Sequence, residues 1–336
     1  MKNGRVTLQK ALANPYSTLV VAYIILFTIF TVGSKNFLTS SNMLNIGMYC
    51  AVCGVIGGSM TFVLSSGLLD LSAGSIMGLT AMSACVVLDR TGSTLAAVAT
   101  ALAVGYVAGY INGFLITKMN LMPMIVTLGT QKIYRGLAYA VNNGMSIQMQ
   151  SPFIKWLGRG YVFDVIPVAF ILMAICLILF AIIAKYTVFG RRVYLIGGNA
   201  QASFLSGINV NKTRCSVMAI NGLMCGLSGL IVTGQLGACL QETGTGYEFN
   251  ALCGCILGGV SLAGGKGTVW GTLVGMFLLS SLQNGLVQLA VPTYWQNVAT
   301  GFVLIMAVSI DVLRNYMAGK NLIAAKTAQD AAKTAK

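Results

Sequence analysis

Residues 258–273 read GGVSLAGGKGTVWGTL, a glycine-rich run holding one lysine and a threonine. Those residue types can bind a nucleotide. In the pattern G-x-x-x-x-G-K-[ST], backbone N–H groups cradle phosphates, the lysine reaches the outer phosphates and the hydroxyl ligates magnesium. The spacing here excludes that chemistry. Counted from Gly259, the lysine position falls on Gly265, while the lysine is Lys266; counted from the next residue, the first glycine is Val260. Apolar segments flank the run on both sides, where a nucleotide loop needs a soluble strand and helix. The run reads instead as a tight turn in which Gly264, Gly265 and Gly267 supply positive-φ backbone.

The other chemistries fail on inventory. The chain has no histidine, which removes Ser-His-Asp, Cys-His and His-x-x-x-His machinery. Nine cysteines include a C-x-x-C at Cys50–Cys53 and a C-x-C at Cys253–Cys255. Zinc sites of this kind need four ligands. Inside apolar segments cysteine serves as a small hydrophobe. Asp and Glu together number seven, too few and too scattered for paired carboxylates. Asp70 is the one acid expected at membrane depth, which disfavours a proton relay. No catalytic residue, metal ligand or cofactor is expected, and the chain does not read as an enzyme.

What must position the remaining polar residues is a membrane bundle. Of 336 residues, 56% are hydrophobic and 8% charged, with a mean hydropathy of +0.80; soluble domains carry about 25% charge. The apolar stretches are each long enough for the roughly 20 residues that cross a bilayer. The fold class is all-α, a polytopic membrane bundle with about ten transmembrane helices. The expected spans are 17–33, 46–66, 73–88, 93–117, 121–143, 165–184, 215–235, 246–262, 268–290 and 296–313. Basic residues cluster before the first span, in the loop at 185–215 and after the last span. Even numbers of spans separate the three clusters, so all fall on one face, the cytoplasm; shifting two boundaries together would give eight spans. The division is a cytoplasmic N-terminal segment (1–16), a membrane domain (17–313) containing the 185–215 loop, and a basic cytoplasmic tail (314–336). The net charge of +14 is this topological signal, and no nucleic-acid partner is implied. Glycines recur every four residues at 105, 109 and 113, at 222 and 226, and at 267, 271 and 275. Such faces suit close helix packing, within one subunit or across a seam.

Three further groups stand out. In the middle loop, Asn199 can cap a two-turn helix over 200–206 that starts at Ala200, carries Phe204 and Leu205 as apolar knobs and stops at Gly207. So short a helix needs a surface to dock on, either its own bundle or a partner's groove. Asp70 or Ser72, between two spans, can cap the helix that follows, and Asp70 should face protein or water; a direct substrate or gating role for Asp70 is the alternative. Arg135 lies inside the fifth span, where it must brace backbone carbonyls or Asp70. Tyr106, Asn112 and Gln283 are candidates for lining a solute path.

These segments resemble, in order, those of one family. The loop TVFGRRVYLIGGNAQASFLSGINV is similar to the coupling loop of the membrane subunit of ribose-type bacterial ABC importers. GLLDLSAGS at 67–75, MPMIVTLGTQKIYRGL at 122–137, GTGYEFNALCGCILGGVSLAGGKGT at 244–268 and WQNVATG at 295–301 resemble further motifs of that family. Together they reach from about residue 40 to 313. Departures are mild: Leu69 for Ile, Phe249 for Leu, and Cys253 and Cys255 for Ala and Val. The resemblance implies a permease of the bacterial inner membrane that binds no ATP itself. Its implied partners are a cytoplasmic ABC ATPase subunit, an extracytoplasmic solute-binding protein and a second permease subunit, taken as identical. The implied substrate is a ribose-like pentose or related monosaccharide. Permease duty for a nucleoside or a furanone-type signal, a secondary carrier and a channel are the alternatives.

Overall fold

The computed structural model describes residues 15–309 and 312. The basic tail, and all but the end of the N-terminal segment, fall outside those residues. Thirteen helices and four two-residue strands occur among the described residues. In chain order these are α1 (Pro15–Gly33), α2 (Ser40–Ser65), α3 (Ala73–Thr91), α4 (Thr94–Lys118), α5 (Pro123–Val141), β1 (Ile147–Gln148), α6 (Pro152–Arg159), β2 (Tyr161–Val162), β3 (Ile166–Pro167) and α7 (Val168–Tyr186). There follow α8 (Val188–Gly198), α9 (Ala200–Leu205), α10 (Val210–Leu236), β4 (Ala238–Cys239), α11 (Tyr247–Leu257), α12 (Val269–Gln288) and α13 (293–309).

Every expected span contains a helix, but the helices are unequal. Among the described residues α2, α4, α7 and α10 are long and apolar enough to cross a membrane. The eighth expected span, 246–262, is corrected: α11 has 11 residues, a rise of about 16 Å, roughly half the bilayer core. Its end is set by Gly258 and by Gly259, whose φ of +87° breaks the helix. The middle loop is also corrected. Residues 188–198, read as loop, form α8, because Gly190, Val193 and Ile196 recur at helical spacing and are buried together. The helix after that loop begins at Val210, not 215, where Asn209 caps it by accepting from Lys212 N at 2.9 Å.

α2 is the axis of the fold. It is apolar on all sides, the pattern of a helix enclosed by others, and everything from Cys50 to Ser65 is buried. α7, α10, α11 and α12 pack around it. The small-residue faces then explain who touches whom. A Cβ on Gly105 would lie 2.3 Å from the Gly222 oxygen, and one on Gly109 would lie 2.2 Å from the Met218 oxygen. The α4 and α10 glycine faces therefore meet each other, within one subunit. A Cβ on Gly271 or Gly275 would lie 2.1 or 2.0 Å from the Gly258 or Gly254 oxygen, so α12 closes on α11 the same way. In a lipid setting such backbone approach supplies the van der Waals contact that a hydrophobic drive cannot.

The bundle has two distinct ends. One carries α8, α9 and the turn at 258–268. The other carries α6 and two short antiparallel ribbons, β1 with β4 (Ile147 opposite Cys239) and β2 with β3 (Tyr161 opposite Pro167).

Candidate functional site

At the first end, Thr187 caps α8 by accepting from Gly190 N at 3.1 Å. Asn199 ends α8 and starts α9, its Oδ1 accepting from Ala202 N at 2.9 Å. Ala200 is the first residue of α9. Gly207, at φ +81°, turns the chain away, and Ile208 N closes on the Ser203 oxygen at 3.0 Å. The helix packs on α8 and the start of α10 through buried Ser203. Phe204 and Leu205 point the other way and are 69% and 79% exposed. Beside them lies a hollow of about 370 Å³ lined by Lys118, Gly207, Asn209 and Asn211, among others. Two exposed apolar side chains on a six-residue helix form a contact surface that lacks its other half.

The turn that opened the sequence reading sits directly behind this helix pair. Gly264, Gly265 and Gly267 have φ of +86°, +71° and +144°. Gly265 N donates to the Ser65 oxygen at the end of α2, at 2.9 Å. A Cβ on Gly197 would fall 1.8 Å from that same oxygen. Arg214 of α10 donates through Nε and Nη2 to the neighbouring Ser66 oxygen, at 3.3 and 3.2 Å. Three segments thus converge on the Ser65 and Ser66 carbonyls at the end of α2, two of them through backbone alone.

The chain continues from there into Asp70, which is fully buried. Its Oδ1 accepts from Ser72 N at 2.9 Å and from Ser72 Oγ at 2.6 Å, and its Oδ2 accepts from Asn221 Nδ2 at 2.8 Å. Ser59 Oγ donates to Asn221 Oδ1 at 2.8 Å. Asn112 Nδ2 donates to Ser72 Oγ at 2.8 Å, and Tyr134 OH donates to Asn112 Oδ1 at 3.2 Å. Side chains of α2, α4, α5 and α10 are tied to one carboxylate, as a buried acid requires. Two expectations are corrected here. Ser72 occupies the N-cap position of α3 without a side-chain capping bond, because its hydroxyl is taken by Asp70. Asp70 does not meet Arg135, because both partners are already committed elsewhere.

Arg135 braces carbonyls: Nη1 donates to the Gln241 and Thr243 oxygens at 3.1 and 2.8 Å, and Nη2 to the Gly74 oxygen at 3.3 Å. It pins the loop after β4 to the start of α3. Beside it is a second buried acid, which corrects the expectation that Asp70 is alone. Glu248, in the first turn of α11, is 3% exposed. Its Oε1 accepts from Gln131 Nε2 at 2.9 Å, while Oε2 presses on Gly74, where a Cβ would lie 2.0 Å away. An acid in the first turn also suits the positive end of the helix dipole.

That loop walls a vestibule of about 690 Å³ at the second end, lined by Asn45, Tyr49, Arg159, Tyr161, Gln235 and Glu242, among others. Arg159 Nε donates to the Gln235 oxygen across it. Glu242 is held at its mouth by Tyr139 OH at 2.9 Å and Thr245 Oγ1 at 3.0 Å, and both donors keep its carboxyl below the ordinary value of 4.5. A second cavity of about 170 Å³ lies next to the vestibule, lined by Tyr49, Cys53, Tyr247, Asn250, Gln283, Val287 and Gln296.

The three residues chosen for a solute path are not brought together. Gln283 lines the smaller cavity. Asn112 is locked in the Asp70 network. Tyr106 is on the outer face of α4, 46% exposed and stacked on Tyr110 at 6.4 Å. The sequence reading passed over Asn221, Tyr49 and Tyr247. Asn221 had a signal, a lone amide inside an apolar segment; the tyrosines had none, since tyrosine is common near membrane surfaces.

The structure is a helical bundle with polar-lined cavities at one end and a short helix bearing exposed Phe204 and Leu205 at the other. The comparisons name the family. The family described as branched-chain amino acid transport system, permease component, matches residues 42–308, and the chain belongs to it. The ribose import permease protein RbsC of Escherichia coli K12 is 35% identical over 87% of this chain and 92% of its own length. RbsC of Bacillus subtilis is 37% identical over 85% and 89%. The L-arabinose ABC transporter permease protein AraH of Azospirillum brasilense is 31% identical over 89% and 88%. No solved structure matches the chain. The chain is a permease component of a bacterial ABC importer, a multi-pass protein of the inner membrane and not itself an enzyme. Its role implies an ATPase subunit and a solute-binding protein as partners.

Proposed function

We propose that this chain forms half of the pore of a pentose importer, with D-ribose or L-arabinose as the substrate class, and that α9 is its coupling helix. The observation that carries the coupling role is the pair Phe204 and Leu205, 69% and 79% exposed on a capped helix of six residues. The substrate class rests on the ribose and arabinose permeases that the chain resembles over most of its length. In this reading the α8–α9 end faces the cytoplasm and the vestibule faces outward. About ten spans, with both termini inside, satisfy the basic-residue clusters at 185–215 and beyond. An identical second subunit closes the pore opposite the cavity-bearing side of α2, α11 and α12.

ATP-driven closure of the ATPase pair displaces α9. The displacement passes through the backbone contacts of Gly197 and Gly265 to the end of α2, and so to the Asp70 network. Two arrangements of rigid elements, biased by a ligand that prefers one of them, are what such a switch needs. The test is Leu205→Arg in the assembled transporter. Its side chain is exposed, so folding is spared; co-purification of the ATPase subunit and D-ribose uptake into vesicles should both fall at least about tenfold, the scale of one lost apolar anchor. Full co-purification and full uptake in this variant would sink the coupling role.

A further inference from the structure

The two cavities at the vestibule end share two walls, Tyr49 and Tyr247. On α2 the vestibule touches Asn45, Met48 and Tyr49, and the inner cavity touches Tyr49 and Cys53. On α11 the vestibule touches Tyr247, and the inner cavity touches Tyr247 and Asn250. On each helix the step from outer to inner space is about one turn, roughly 5 Å, and a tyrosine ring stands at the step. We propose that the inner cavity is a binding station for one small polyhydroxylated solute, and that Tyr49 and Tyr247 form the partition it passes to reach it.

The chemistry of the inner walls fits that occupant. Gln283 Nε2 donates to Asn250 Oδ1 at 3.0 Å. This bond fixes both amides at the cavity wall, and the Gln283 carbonyl oxygen and the Asn250 amide hydrogens are the remaining polar groups of the pair. Gln296 is fixed the same way, its Nε2 donating to the Val291 oxygen at 2.8 Å, with its own carbonyl oxygen left over. A hydroxyl both donates and accepts, so adjacent hydroxyls on a sugar match a fixed acceptor beside a fixed donor. The tyrosine rings offer flat apolar faces for the C–H side of the same molecule. Cys53 and Val287 complete the wall, and among the described residues no charged side chain lines the cavity, which suits a neutral solute. At about 170 Å³ the space holds one small molecule, and its few hydrogen bonds keep the hold weak enough for onward release, as conduction demands.

The proposal rests on the pentose-import reading, and one experiment separates the two. The complete transporter, with its ATPase and binding protein, is reconstituted in liposomes and assayed for D-ribose and L-arabinose uptake at saturating binding protein. Gln283→Met removes the fixed acceptor at similar volume; Val287→Trp fills the cavity from a half-exposed position. Tyr110→Phe, on the far face of α4, is the control. Uptake should fall about tenfold in Gln283→Met and further in Val287→Trp, and stay at the wild-type level in Tyr110→Phe. Should Gln283→Met fail to assemble, Val287→Trp decides alone. Wild-type uptake in Val287→Trp overturns the station and leaves the import reading intact. A wild-type transporter that moves neither pentose overturns the import reading itself.

Discussion

Where α8, α9 and the 258–268 turn gather, elements meet backbone to backbone. Gly197 approaches the Ser65 oxygen so closely that a single added carbon would lie 1.8 Å from it. At the vestibule, close backbone approaches such as Gly244 on the Gly74 oxygen are joined by long side chains: Arg135 reaching three carbonyls, Tyr139 and Thr245 holding Glu242, Gln283 holding Asn250. Backbone contacts have no rotamers to absorb a displacement, and packed interiors resist compression. Side-chain contacts can break and re-form around a passing solute. On the proposed reading the first end transmits movement and the second accommodates cargo.

The contrast breaks most visibly at two adjacent glycines. Gly197 has no room for a side chain, whereas a Cβ on Gly198 meets nothing within 4 Å. Gly197→Val should lower stability by about 3 kcal/mol, the upper range for overpacking a tight contact, and abolish uptake. Gly198→Ala should leave both near wild type. Thermal unfolding in detergent, read beside uptake, checks the pair. Equal behaviour of the two variants would remove the backbone contact from the route between lever and pore.

Between the ends, the Asp70 network should give a smaller effect. Asn221→Leu keeps the volume and removes the donor to Asp70 Oδ2 and the acceptor for Ser59. Leaving a buried carboxylate oxygen unpaired costs about 2–3 kcal/mol. Stability should fall by that amount and uptake should fall with it. Uptake lost with stability unchanged would instead make Asn221 part of the solute path.

The sequence made the class legible because membrane physics is blunt. Long apolar stretches, basic clusters and glycines at four-residue spacing each have few solutions in lipid; each expected span contains a helix, and four of these are long and apolar enough to cross among the described residues. The short α9 helix was legible through Asn199 and Gly207, since caps are local chemistry. What escaped were facts of long-range pairing. Asp70 and Arg135 looked like natural partners because few charges were available, yet carbonyls and amides far along the chain claimed both. The burial of Glu248 gave no sign in the sequence, because it depends on how closely Gly74 lets α11 approach α3. The 188–198 helix was hidden by the basic pair Arg191 and Arg192, which drew attention to charge and away from the buried spacing of Gly190, Val193 and Ile196.

The smallest expected effect sharpens the accommodating side of the contrast. Glu242 lies at the vestibule mouth, largely exposed, with Tyr139 and Thr245 donating to its two oxygens. Those bonds favour the charged form, so the folded carboxyl titrates below its ordinary value of 4.5. A group with a depressed folded value stabilises the fold above its unfolded value and loses that contribution as the pH falls through the folded one. The anchoring of this loop should therefore be complete at neutral pH and weaken only below about pH 4.5, the ordinary value of a glutamate. Glu242→Gln removes the charge at every pH. It should leave global stability within experimental error, because exposed polar contacts contribute little. What it should change is local: amide hydrogen exchange over residues 240–246 should quicken at pH 7, while the wild type shows the same quickening only in acid. Arg135 holds the neighbouring carbonyls independently of Glu242, so the loop stays docked at Gln241 and Thr243 and loosens toward Thr245. Exchange that quickens evenly across the whole loop would mean that Glu242, not Arg135, is the principal anchor of the vestibule wall.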